Sequence, residues 1–185
     1  MRNDIPSACS LVVDVHAKAC SDLIAAYGLI NHLRREQRHE SAPHRVNYAS
    51  VLCATGDGIR LSSTLSTDAE LLERTHPAAG STRIERRDVE DWCRELNNQL
   101  MGRVKNKLLR LGCEMTTGIP VLICGTGIAA VTPSEVDHRQ YFFSSDYGCM
   151  TFTLAMALSP AVDLAGGNLV ADADEVRPEG AHSIF

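Results

Sequence analysis

The chain has no apolar run near the roughly 20 residues that a bilayer-spanning helix needs, and its first residues lack the basic, apolar, then small pattern of a secretory leader. Both absences point to a cytosolic protein without a membrane role. Its seven cysteines include no C-x-x-C pair, the spacing that zinc ribbons and dithiol redox sites use. Cys9, Cys20, Cys53, Cys93, Cys113, Cys124 and Cys149 are therefore read as reduced core residues. His16 and Cys20 stand i, i+4 and could share a metal on a helix, but no second pair accompanies them. No signature of a Cys–His nucleophile surrounds any of the seven, and no carboxylates cluster with metal-ligand spacing. Concentrated basic charge is missing too. Net charge is −5 and the isoelectric point about 5.8. The one dense basic run, Arg34-Arg35-Glu36-Gln37-Arg38-His39, is read as a solvated helix end and not as a nucleic-acid patch.

What the chain does have is material for one core. With 185 residues and 44% hydrophobic content, a single domain is expected. Its organising stretch is residues 91–109, which reads as one amphipathic helix. At about 100° per residue, Val89, Trp92, Cys93, Leu96, Leu100, Val104, Leu108 and Leu111 share an apolar stripe that faces a core. The opposite stripe carries Asp91, Glu95, Asn98, Gly102 and Lys105, so a carboxylate and a carboxamide stand one turn apart on the solvent face. Gly102 lies on that stripe, where glycine costs roughly 1 kcal/mol against alanine. A notch admitting another surface accounts for it, and so does an ordinary solvated face with a chance glycine.

Upstream, Leu11, Val12, Val15, Ala19, Leu23, Ile24, Tyr27, Ile30 and Leu33 recur at helical spacing, giving a first helix to about Arg35. The polar stretch 37–43 breaks it. Residues 45–54 alternate as a strand, Gly56-Asp57-Gly58 makes a tight hairpin turn, and 59–63 return as its partner. Thr67-Asp68-Ala69-Glu70 reads as a capping box opening a short helix through Leu71 and Leu72, which Pro77-Ala78-Ala79-Gly80-Ser81 ends. Gly112 stops the central helix. Ile119 to Cys124 then form a strand, interrupted by Gly125-Thr126-Gly127 with a bulge and continued over 128–131. Residues 140–144 and 149–157 make a second hairpin through Ser145-Asp146-Tyr147-Gly148.

Tight hairpins mean an antiparallel sheet, and two long helices with one apolar face each cover one side of it. The expected fold is an α+β two-layer sandwich spanning residues 1–158. Residues 159–185, rich in Pro, Gly, Asp and Glu, are expected to form a mobile tail. The uncovered face or an edge strand offers a place for a second copy.

Asp91-x-x-x-Glu95-x-x-Asn98, followed by Gly102, Leu108, Leu111-Gly112 and Pro120, resembles the active-site signature of the CheC/CheX/FliY chemotaxis phosphatases. The segment 49–72, a glycine-turn hairpin and a capped short helix, is similar to the part of CheX that precedes its catalytic helix. The likeness runs from about 46 to 158. Because the first helix carries no Glu-x-x-Asn, a single-site CheX-like member is the better match. Asn97 stands where such sequences commonly have a small residue, which leaves open which asparagine faces a partner. The i, i+3 spacing from Glu95 favours Asn98.

The resemblance implies hydrolysis of the aspartyl phosphate on a CheY-like receiver domain. An acyl phosphate is already activated, so catalysis needs little beyond a water held in line, which a carboxamide does by accepting from the water and donating to the phosphoryl group. Asn98 would have that role. Glu95 would pair with a receiver lysine and fix the register. Gly102 would let the backbones approach, Lys105 would touch the partner's rim or be an ordinary exposed lysine, and Asp91 would flank the contact. Magnesium would come from the receiver, with no cofactor of the chain's own, and a homodimer is expected. The alternative is a non-catalytic receiver-binding or switch-associated adaptor, and an unrelated Cys or His enzyme lacks a supporting constellation.

Overall fold

Alternation along the strands sorts apolar from small polar side chains onto two faces, and the computed structural model, which describes residues 8–27, 34–36, 45–129, 136–160, 162 and 164, places helices on the apolar one. In chain order the elements are α1 (Ala8–Ala26), β1 (Arg34–Glu36), β2 (Val46–Gly56), β3 (Ile59–Thr67), α2 (Ala69–Thr75), α3 (Arg86–Arg110), β4 (Met115–Thr117), β5 (Val121–Ile128), β6 (Asp137–Ser145) and β7 (Gly148–Leu158). All strand pairs are antiparallel, in the order β1-β6-β7-β3-β2-β4. β5 also pairs with β2, along Val46 to Val51, while β4 takes Ala54 to Gly56, so the two lie end to end on one edge.

Leu52, Leu61, Leu65, Phe152 and Leu154 line the inner face, and α1 and α3 bury Val12, Val15, Leu23, Leu96, Leu100 and Leu108 against it. Each such side chain contributes about 1.5–3 kcal/mol on leaving water. The outer face carries Cys53, Ser62, Thr64 and Gln140, none of which needs cover. The architecture is the expected α+β two-layer sandwich. Among the described residues no helix is long and apolar enough to cross a membrane.

The two long hairpins close as read from the sequence. Gly56 pairs with Ile59 across Asp57-Gly58, and Gly58 takes φ +70°, a conformation that only glycine enters cheaply. The register slip expected at Gly125-Thr126-Gly127 falls where β2 pairing shifts between Val46 and Tyr48. Beyond β7, Ser159 N donates to Gly58 O at 2.8 Å and Leu164 is buried in the core. Most of the stretch read as a mobile tail, 165–185, lies outside the described residues, as does the strand continuation over 130–131.

Four expectations need correction. α1 stops at Ala26, not near Arg35, and Arg34–Glu36 is a strand paired with Phe142, Phe143 and Ser144 of β6, so the basic run is not a helix end. In sequence Gly28 comes two positions after Ala26, and glycine is a poor helix former. The helical spacing of Ile30 and Leu33 points the other way, and those residues, like the break at 37–43, lie outside the described ones. The capping box at Thr67 and Glu70 does not form. Thr67 ends β3 and its hydroxyl donates to Cys149 O at 2.9 Å, Asp68 holds the cap position with its carboxylate accepting from Cys149 N at 2.9 Å, and Glu70 pairs with Arg74. Both side chains tie the start of α2 to β7. β4 was not expected, since three residues carry too little alternation to read. Finally, Cys53 and Cys124 are exposed and not core residues, although all seven cysteines are free.

Candidate functional site

The site is the outer stripe of α3, and the helix is fixed at both ends. At its start Glu85 N donates to Asp88 Oδ2 at 2.9 Å. At its end Gly112, with φ +80°, donates to Leu109 O at 3.0 Å and Cys113 N donates to Leu108 O at 2.9 Å, the paired bonds of a Schellman stop. Every residue assigned to the apolar stripe is buried. Trp92 adds a polar anchor, its Nε1 donating to Thr75 Oγ1 at 3.1 Å.

The two asparagines divide. Asn97 has 0% exposure. Its Oδ1 accepts from Ser63 Oγ at 2.8 Å, and its Nδ2 donates to Ser50 O at 2.9 Å and Ser63 O at 3.2 Å, so it stitches α3 to the middle of β2 and β3. A polar residue this deep is stable because both ends of its amide are matched. The sequence did carry a signal for this contact: Ser50 and Ser63 occupy inward positions of otherwise apolar strand faces. Asn98 is exposed, and among the described residues nothing hydrogen-bonds its carboxamide.

Glu95 is half-buried on the same stripe, and its Oε1 accepts from Gln99 Nε2 at 2.7 Å. Gln99 Oε1 accepts in turn from the Tyr27 hydroxyl at 2.5 Å. Neither Gln99 nor Tyr27 was singled out by sequence reasoning. Gln99 one turn beyond Glu95 is a legible pair, but nothing local links it to a tyrosine 72 positions away. A Cβ built on Gly102 meets nothing within 4 Å, so no neighbour in the described structure requires a glycine there. Lys105 is half-buried and makes no ion pair with a described residue. Asp91, one turn before Glu95, is occupied by Arg94 at 2.7 Å and approached by Arg87 at 3.8 Å on the open surface. The five residues assigned to this stripe thus lie along one helix face, with Asp91 engaged locally.

Thiol and imidazole chemistry finds no foothold nearby. Burial pushes the Cys93 thiol up to about 12, which leaves it protonated and inert at neutral pH, and partial desolvation followed by the nearby Glu90 carboxylate raises the exposed Cys124. His16 is buried under the sheet beside Cys20, with burial holding its imidazole down to about 4. Among the described residues no three His, Cys, Asp or Glu side chains are placed to hold a metal ion.

Comparison with known proteins gives the same outline. The family described as chemotaxis phosphatase CheX matches residues 48–144, just over half of the chain and including all five stripe residues. No curated protein sequence matches significantly. Among solved structures, a chemotactic CheC-like protein from Shewanella oneidensis MR-1 is similar with TM-score 0.69 and 16% identity, over 78% of this chain and 96% of that one. The chemotaxis protein CheX from Vibrio vulnificus is similar with TM-score 0.68 and 18% identity, over 78% and 98%. The Borrelia burgdorferi CheX, solved with CheY, BeF3 and magnesium, is similar with TM-score 0.63 and 13% identity, over 78% and 97%. At these identities the likeness is one of fold.

Proposed function

The chain belongs to the chemotaxis phosphatase CheX family, and from that membership we propose that it hydrolyses the aspartyl phosphate of a CheY-like receiver domain. The observation that carries the reading is the division at Asn97 and Asn98: one carboxamide is consumed by the sheet, while the next stands free one turn from Glu95 and one turn from Gly102. A free surface carboxamide on a helix tied to the sheet is suited to holding a water, since its position is set before the partner arrives.

In this mechanism Asn98 Oδ1 accepts from the attacking water and Nδ2 donates to the phosphoryl group, placing the water in line with the leaving carboxylate. Glu95 pairs with a receiver lysine and sets the register; with Oε1 engaged by Gln99, its other oxygen is the one offered. Gly102 admits the receiver backbone, Lys105 meets its acidic rim, and Asp91 borders the contact. Magnesium, which neutralises charge on the transferring group, belongs to the receiver's own acidic pocket. That a CheX from Borrelia burgdorferi was solved with CheY, BeF3 and magnesium supports a receiver as the partner. The reading places the chain in the cytosol with its receiver, and as a homodimer, which light scattering of the purified protein tests.

The functional test follows the phosphorylated receiver domains of the same genome with and without the purified protein. Faster loss of phosphate from at least one receiver is expected. Unchanged decay for all of them removes the phosphatase reading.

A further inference from the structure

A carboxamide has one accepting end and one donating end, so what meets the first decides what the second can reach. At Gln99 the accepting end takes the Tyr27 hydroxyl at 2.5 Å, which leaves the NH2 group facing Glu95 Oε1 at 2.7 Å. Reversing the amide sets oxygen against carboxylate, an arrangement without a shared proton. Tyr27 is itself held. Its ring packs edge-on against Trp92, with centroids 4.9 Å apart at 85°, and Trp92 is anchored in the core through Thr75. A ring contact and two hydrogen bonds thus run in sequence from Trp92 on the buried stripe of α3, through Tyr27 just after α1, to Gln99 and Glu95 on α3.

We propose that Tyr27 and Gln99 are positioning residues that hold the Glu95 carboxylate in one orientation, with its second oxygen open, for a cationic side chain of the receiver. This rests on the reading of Glu95 as the docking carboxylate. An unrestrained surface glutamate samples several rotamers, and ordering it on contact opposes association; a glutamate already hydrogen-bonded has lost that freedom beforehand. Neither Tyr27 nor Gln99 touches the reacting atoms in this arrangement, so their influence falls on docking and not on the water held by Asn98. Tyr27, in the turn that follows α1, lies outside the stretch matched by the family, residues 48–144.

The test uses the full chain with a phosphorylated receiver that it turns over, and four variants: Gln99→Met, which keeps length and loses the hydrogen bonds; Tyr27→Phe, which keeps the ring on Trp92; Glu95→Ala; and the double variant Glu95→Ala/Gln99→Met. Gln99→Met and Tyr27→Phe each raise KM by roughly three- to tenfold with kcat nearly unchanged, the range expected for ordering one long side chain. In the Glu95→Ala background Gln99→Met adds nothing further. The Gln99 side-chain amide resonances, shifted and ordered in the wild type, move to free-amide positions in Tyr27→Phe and in Glu95→Ala. Wild-type KM in Gln99→Met, an equal penalty with Glu95 absent, or a Gln99 amide already at free positions in the wild type overturns the inference. The first two results leave the phosphatase reading standing, whereas loss of that reading shows as a wild type that accelerates no receiver.

Discussion

Asn97 and Asn98 are adjacent in the chain, and α3 gives them opposite surroundings: Asn97 is sealed between Ser50 and Ser63, and Asn98 faces solvent. The same asymmetry separates stability from activity. Asn97→Ala strands a buried hydroxyl and frees two carbonyls from their extra donor, so it lowers unfolding free energy by about 1–3 kcal/mol. Asn98→Ala, on the surface, changes it by about 0.5 kcal/mol or less. Urea titration followed by the fluorescence of Trp92, the one tryptophan, checks both.

Gly102 makes a second separation. Nothing in the described structure crowds a Cβ there and the residue sits inside a regular helix, so Gly102→Ala stabilises the fold by about 0.5–1 kcal/mol. The same methyl group projects into the space assigned to the receiver backbone, so affinity for the phosphorylated receiver falls while the melting temperature rises. A variant that gains stability and keeps its affinity removes the notch from the account.

His16 supplies a pH dependence. Its imidazole, ordinarily near 6.5, is held to about 4 by burial, and its Nε2 has no hydrogen-bond partner among the described residues. The unfolded chain therefore takes up a proton below about pH 6.5 that the folded chain refuses until about pH 4. Stability is unaffected by this group above pH 6.5 and falls as pH drops through that window, by about 3 kcal/mol in total. Comparing urea midpoints at pH 7.5, 6 and 5 for wild type and His16→Leu isolates the effect: the variant loses less stability on acidification.

Much of this was legible in the residues, and the parts that were not have physical reasons. The stripe from Val89 to Leu111 repeats over about six turns, long enough for periodicity to outweigh local noise. The place of Glu95, Asn98 and Gly102 on the opposite face follows from it by geometry, while the roles assigned to them come from the family resemblance. The first hairpin was legible from Asp57-Gly58, a dipeptide that favours one tight turn, and the second from Ser145-Asp146-Tyr147-Gly148 between two strand-like runs. β1 and β4, at three residues each, are shorter than the alternation that would reveal them, and their pairing is decided by distant strands. Thr67 and Asp68 matched a local capping pattern that lost to tertiary contacts with Cys149. Tyr27 escaped for the same reason: its partner on α3 is a neighbour only after folding.

The central claim is that Asn98 orders the attacking water, and the measurement closest to it compares wild type with Asn98→Ala on one phosphorylated receiver, recording affinity and single-turnover decay in parallel. The account predicts that Asn98→Ala binds within about twofold of wild type and loses on the order of a hundredfold in rate. Equal decay rates for the two proteins, or a wild type that binds the phosphorylated receiver without hastening its decay, would contradict it and leave the chain as an adaptor.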